Sequence, residues 1–289
     1  MSYLLLCILS STLILIVFRL LDKLRVSTLN AIIVNYFTAS TLGYLTGRNE
    51  GVSPFAGEWF YTALITGFLF VFMFFAIGYS ARVAGITITS LMTKLSVVIP
   101  VAYSIVFFGE EITILKIAGM ILALASITMI VHKPRKDTGN SKETGILIWL
   151  PVILFLGAGF IDSLIKYSQE VLVPEKHTLA FSTTTFMTAA VTSVLFRLTG
   201  KFGKNEDRWY RVAAGGIALG VVNFGSLYFL IMALESPRMD SSLVFGINNL
   251  GVVLLSVLSG MLFFGEKTTL LNRIGILTAN ISILILFLS

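Results

Sequence analysis

The sequence predicts an all-α membrane protein of ten transmembrane helices, built as two inverted five-helix repeats. Three observations predict it. The 289-residue chain is 56% hydrophobic and only 12% charged, with a mean hydropathy of +0.91. A soluble domain carries roughly 25% charged residues, and half that supply cannot keep a surface wet. Ten apolar stretches each approach the ~20 residues that a bilayer core requires. Finally, Phe107-Phe108-Gly109-Glu110 recurs as Phe263-Phe264-Gly265-Glu266, and in each copy another glycine (Gly119, Gly275) follows ten residues after the first. Self-similarity at half length suggests two similar bundles facing each other.

The stretches follow in order. Residues 3–21 lack a basic leader and a small-residue cleavage site, so they read as a retained helix. Asp22 to Arg25 ends it, and 27–46 carries Asn30, Asn35 and Tyr36. Residues 59–81 close at Arg82. Residues 85–108 contain Ser90, Lys94 and Pro100 and stop at the Gly109-Glu110 turn. The fifth stretch is 113–131. A polar connector, 132–144, then divides the chain into a first repeat (1–131) and a second (145–289). The second repeat contains 145–166 with Asp162 and Lys166, 178–198 with Ser182 to Thr185, 211–233 with Asn223 and Tyr228, 240–264 with Asn248 and Asn249, and 268–288 with Asn280. The runs are continuous and lack the alternation that a β-barrel needs.

Five helices per repeat is an odd number, so the second repeat enters the membrane upside-down relative to the first. Lys and Arg are distributed 15 to 5 in favour of the connectors after odd-numbered helices, with Lys94 alone inside a helix. The positive-inside rule then puts both termini outside. The single Cys7 forbids an internal disulfide. His132 and His177 are isolated, so neither metal nor cofactor is expected. Basic residues without interleaved stacking aromatics argue against nucleic acid. The expected partners are a small-molecule substrate and the lipid bilayer, with homodimerisation left open.

Polar residues inside the apolar runs carry the functional reading. A Lys at mid-depth costs on the order of +2.5 to +3.5 kcal/mol on insertion scales, so Lys94 is expected to face a watery cavity or an anion. Ser90, four residues earlier, shares its face. Asn248 and Asn249 lie at similar depth and either bind substrate or join helices. Asn35, Asn223 and Tyr228 are further candidate ligands, with packing as the plainer reading of Tyr228. Asp162 and Lys166 have the i,i+4 order of an intrahelical ion pair near a helix end, with gating or proton coupling as the alternative. Glu110 and Glu266 read as turn or cap residues that fix the hairpin between successive helices.

Ser90-Leu91, Pro100, Phe107 to Glu110 and Gly119 form the pattern in the first half. Ser242-Leu243, Phe263 to Glu266 and Gly275 form it in the second. Together they resemble the two halves of a drug/metabolite transporter of the EamA type, over essentially the whole chain. The resemblance implies secondary transport of small metabolites, often export, through a central cavity between the halves. Pro100 has no counterpart in the second half, which reads Gly251-Val252-Val253 and Ser256, so the halves are expected to flex unequally.

The expectation is therefore a ten-helix exporter of a small neutral or anionic metabolite in a bacterial inner membrane, working by alternating access. Its site would lie between the fourth and ninth helices, with Pro100, Asp162 and Lys166 in gating or coupling. The rivals are a non-transporting scaffold or receptor and a multidrug cation exporter. A membrane enzyme has no nucleophile-base pair or metal cluster to work with.

Overall fold

A computed structural model describes residues 1–47, 57–107, 109, 111–131, 141–174, 177–199, 208–234, 241–266 and 269–288. Glu110, His132 and most of the 132–144 connector lie outside the described residues. The described chain is helical throughout. Its helices are α1 (Ser2–Lys23), α2 (Thr28–Gly47), α3 (Phe60–Val83), α4 (Ile86–Leu95), α5 (Val98–Phe107), α6 (Ile114–Val131), α7 (Ser141–Tyr167), α8 (Thr178–Leu198), α9 (Trp209–Leu234), α10 (Ser241–Phe264) and α11 (Leu270–Leu288). A π-helical turn, Ser168–Leu172, extends α7.

Every predicted apolar stretch appears as helix. Among the described residues, eight helices are long and apolar enough to cross a membrane: α1, α3, α4 with α5, α7 with its π turn, α8, α9, α10 and α11. This is a multi-pass membrane protein. α2 is 20 residues long and carries two asparagines, Asn30 and Asn35; it lies against α8 and α9.

The surface is the reverse of that of a soluble protein. Leu5, Leu9 and Leu13 on α1, Ile117, Ile121 and Leu124 on α6, and Ile274, Leu277, Ile281 and Leu284 on α11 are exposed apolar stripes at helical spacing, while Ser80, Thr89, Ser104, Ser126 and Ser282 are fully buried. Hydroxyls can be buried because they bond back to their own helix. Thr183, Thr184 and Thr185 donate to the carbonyls of Leu179, Ala180 and Phe181 at 2.8 to 2.9 Å.

Two main cores form, and neither is one half of the chain. One joins α1, α2, α3, α8 and α9 through Phe18, Ile32, Tyr36, Phe186 and Leu219. The other joins α4, α6, α7, α10 and α11 through Leu91, Leu95, Leu154, Val253 and Ile283. Each core takes helices from both halves of the chain, rather than one bundle forming from each half as expected. Without a hydrophobic drive between lipid-facing helices, close packing must hold them together, and small residues supply it. Gly119 of the repeated motif lets α6 close on α11, where an added Cβ would sit 2.7 Å from Leu286. Ser282 of α11 donates to the Gly119 carbonyl at 2.7 Å.

The repeated Gly-Glu turn has a definite geometry. Gly109 and Gly265 both adopt positive φ, 66° and 62°, the left-handed conformation that follows a helix C-terminus and favours glycine. Glu266, expected to fix the hairpin to the next helix, also reaches across the chain: its carboxylate accepts from the backbone N–H groups of Ile86 and Thr87 at 2.7 and 3.2 Å, capping α4 in the other half of the chain.

Candidate functional site

The predicted fourth helix is broken. Pro100 is the third residue of α5 and has no N–H to offer the Ser96 carbonyl one turn earlier, and its ring crowds that carbonyl. The chain between α4 and α5 closes instead with tighter bonds, Val97 N–H to Lys94 O at 3.4 Å and Ile99 N–H to Ser96 O at 2.9 Å. Lys94 falls in the last turn of α4, where the negative end of the helix dipole favours a cation. The span Ile86–Phe107 has its middle at Ser96-Val97, so Lys94 lies within ~4 Å of mid-depth at about 1.5 Å per residue.

Asp162 is the second charge at this depth. It was expected near a helix end, because Gln169 and Glu170 look like the edge of the span. The π turn carries the helix on past it, and its contact with Ser96, at the middle of Ile86–Phe107, sets Asp162 at that same depth. The Ser96 hydroxyl, at the break, donates to the Thr93 carbonyl at 2.6 Å and more weakly to Asp162 Oδ2 at 3.4 Å. The Asp162 side chain stays accessible although it faces the buried Ser96.

The charge of Lys94 acts on both Asp162 of α7 and Cys7 of α1. Cys7 Sγ lies 3.2 Å from Asn248 Oδ1 and 3.1 Å from the Ser226 carbonyl. From there a polar track leads away. Ser226 donates to the Asn223 carbonyl at 2.8 Å, and Asn223 Nδ2 donates to Asn35 Oδ1 at 3.2 Å. Asn35 Nδ2, at the far end, is buried without a partner. Five candidates, Lys94, Asp162, Asn248, Asn35 and Asn223, thus belong to one system across α1, α2, α4, α7, α9 and α10.

Other candidates take plainer roles. Ser90 is fully buried and donates back to the Thr87 carbonyl at 2.9 Å, so its hydroxyl is spent within α4; the i−4 spacing gives its face but not its partner. Tyr228 stacks on Phe224 with ring centroids 5.5 Å apart and meets Phe229 edge-on, which is packing. Asn248 is buried and Asn249 only half-buried, because adjacent residues on a helix point about 100° apart. Lys166 has its ion partner one turn later than expected, Glu170 at 3.6 Å, because α7 continues past it. Its ammonium also donates to Ser104 of α5, whose hydroxyl returns to the Pro100 carbonyl at 2.8 Å. Lys166 thereby fastens α5 to α7 directly below the break.

Cys7 and Ser96 were not anticipated as site residues. Their signal is faint: Cys7, Ser10 and Ser11 share i, i+3 and i+4 spacing on α1, and Ser96 lies four residues before Pro100. Pro100 gives a direct test. Pro100→Ala restores an N–H and lets α4 and α5 join; thermal stability is expected to rise, and turnover of whatever solute is carried to fall on the order of tenfold, read as unfolding temperature and flux in the same preparation.

No family model matches the chain. It is 28% identical over 287 residues to an uncharacterized protein of Haemophilus influenzae, covering 96% of this chain and 94% of that one. Among solved structures it is similar, over 96% of its length and 97% of the other chain, to one described only as "Crystal structure of protein", with TM-score 0.55 and 16% identity. That likeness is one of fold.

Proposed function

We propose that this chain is a secondary transporter of the EamA type, moving a small metabolite across a bacterial inner membrane by alternating access around Lys94. The observation that carries the reading is two opposite charges, Lys94 and Asp162, near mid-depth beside a broken helix. Ionisable groups at that depth are costly and mark substrate or ion paths. Broken helices at mid-depth are the usual way in which transporters present backbone ends and side chains to a solute.

The ten-span inverted repeat is part of the proposal, and the packing supports it. Exchanging the halves maps α1 to α7, α2 to α8, α3 to α9, α4 to α10 and α6 to α11. Under that exchange α2–α9 becomes α8–α3, α1–α9 becomes α7–α3, and α1–α10 becomes α7–α4. The seams α6–α11, α2–α8 and α4–α10 map onto themselves. All of these contacts occur. The direction is export, on the strength of the family resemblance; the termini lie outside on the strength of the 15-to-5 charge distribution alone, against the cytoplasmic termini of many family members.

Lys94 favours an anionic group on the solute, and Asp162 beside it makes the site neutral overall. A neutral solute or one carrying an anionic group fits best. The accessible Asp162 also supports a second reading, a solute with a cationic group. Asp162→Asn separates the two: flux of a cationic solute is expected to fall at least tenfold, whereas flux of a neutral or anionic one persists. The reading as a whole is tested by comparing metabolite pools inside and outside cells that express the wild type, Lys94→Met or neither. A solute that moves only with the wild type supports it; identical pools in all three, with protein present in the membrane, count against it.

A further inference from the structure

Ile86 and Thr87 open α4, and their N–H groups have no partner within the helix. The residue before them, Gly85 (φ 95°), has no side chain to cap them. Glu266 does so from the end of α10, with Ile86 N–H to Oε1 at 2.7 Å and Thr87 N–H to Oε2 at 3.2 Å. The turn that aims it is closed by Glu266 N–H to the Gly260 carbonyl at 2.9 Å, with Gly265 in the left-handed conformation. Room for the carboxylate is built in on both sides. A Cβ on Gly85 would come 2.5 Å from Oε1, and a Cβ on Gly260 2.5 Å from Oε2. Beside it, the Thr87 hydroxyl is buried and without a partner.

We propose that Glu266 is the latch of a gate, closing the Lys94 site on the face where α4 begins and α10 ends. The inference rests on the transport reading and concerns how its site is closed. α4 holds Lys94 and α10 holds Asn248, so the seam between them is a wall of the site. α4 is only ten residues long and is cut from α5 by the Pro100 break, while α5 is fastened to α7 through Lys166 and Ser104. The short α4 can therefore pivot about Ser96-Val97 while α5 stays in place. At its start, which Thr89 also holds to Ser80 of α3 at 2.8 Å, the carboxylate of Glu266 ties it to α10. Breaking those two bonds frees the start of α4 to leave α10, and the site then opens to that face.

A thiol accessibility experiment tests this without a known substrate. The chain carries one cysteine, so a Cys7→Ser, Thr93→Cys version places a single reporter beside Lys94, at a half-buried position. Arg82→Cys in the same Cys7→Ser chain marks the latch face, because Arg82 is exposed and lies three residues before Gly85. A membrane-impermeant maleimide is applied to right-side-out and inside-out vesicles. Glu266→Gln keeps one acceptor and turns an amide donor toward the second N–H. Gly260→Ala pushes on the carboxylate while leaving it charged. Both are expected to raise labelling at position 93 from the Arg82 face at least fivefold and to lower it from the other face. Unchanged labelling in both variants overturns the latch, and so does an equal rise from both faces, which indicates a loosened fold. Wild-type solute flux is measured separately: labelling that shifts in a protein that moves no solute leaves the latch standing and removes the transport reading.

Discussion

Lys94→Met is expected to abolish transport while leaving the protein folded. Met matches the Lys side chain in length and removes only the charge, and an apolar residue is cheaper to bury, so insertion improves by the order of 2 to 3 kcal/mol. Folded yield in detergent is therefore expected to equal or exceed that of the wild type. Asp162 is left without the charge beside it, and the site turns from neutral to negative. Flux of a solute held by an anionic group is expected to drop at least a hundredfold, about 3 kcal/mol at 1.4 kcal/mol per decade. Equal flux in Lys94→Met and wild type removes Lys94 from the site.

Gly220→Leu is expected to do the opposite and destabilise the fold. A Cβ at Gly220 would lie 2.5 Å from Thr38 Cβ and 2.7 Å from the Asn35 carbonyl. One turn earlier, a Cβ at Gly216 would lie 2.4 Å from Val34 and 2.9 Å from the Ala31 carbonyl. Two backbone carbonyls of α2 therefore press on the Gly216-x-x-x-Gly220 face of α9. A carbonyl cannot swing aside as a side chain can, so α2 and α9 must separate, and the Asn35–Asn223 bond breaks with them. Overpacking costs typically 1–3 kcal/mol, and this case sits at the top of that range or above. The unfolding midpoint in detergent is expected to fall by on the order of 5–10 °C or more. Gly225→Ala is the control: its nearest neighbour, Ser10 Oγ, is 3.2 Å away, and a small change is expected. A wild-type midpoint for Gly220→Leu would show that α2 and α9 do not pack this closely.

The sequence made the helices legible because lipid allows few alternatives: a run of ~20 apolar residues has to satisfy its backbone internally. Lys94 and Asn248 stood out for the same reason, as groups that an apolar run would not otherwise tolerate. What stayed hidden depends on contacts across the chain. The depth of Asp162 follows from its contact with Ser96 at the α4–α5 break, a partner 66 residues away. The π turn after Tyr167, which reads as a polar loop edge in sequence, gives Lys166 to Glu170. Cys7 becomes a site residue only because α10 and α9 bring Asn248 and the Ser226 carbonyl to it. Spacing gave the face of Ser90, and only the structure shows its hydroxyl bonded to Thr87. The second-half glutamate was legible as a cap, but its target lies 180 residues earlier in the chain, a distance that no local rule spans.

The most direct test of the central claim uses purified protein in sealed liposomes, loaded with the solute whose cellular pool responds to expression. Efflux is expected with wild type and is expected to be lost with Lys94→Met at equal reconstitution. Efflux at the same rate from liposomes with wild type, with Lys94→Met and without protein would contradict it.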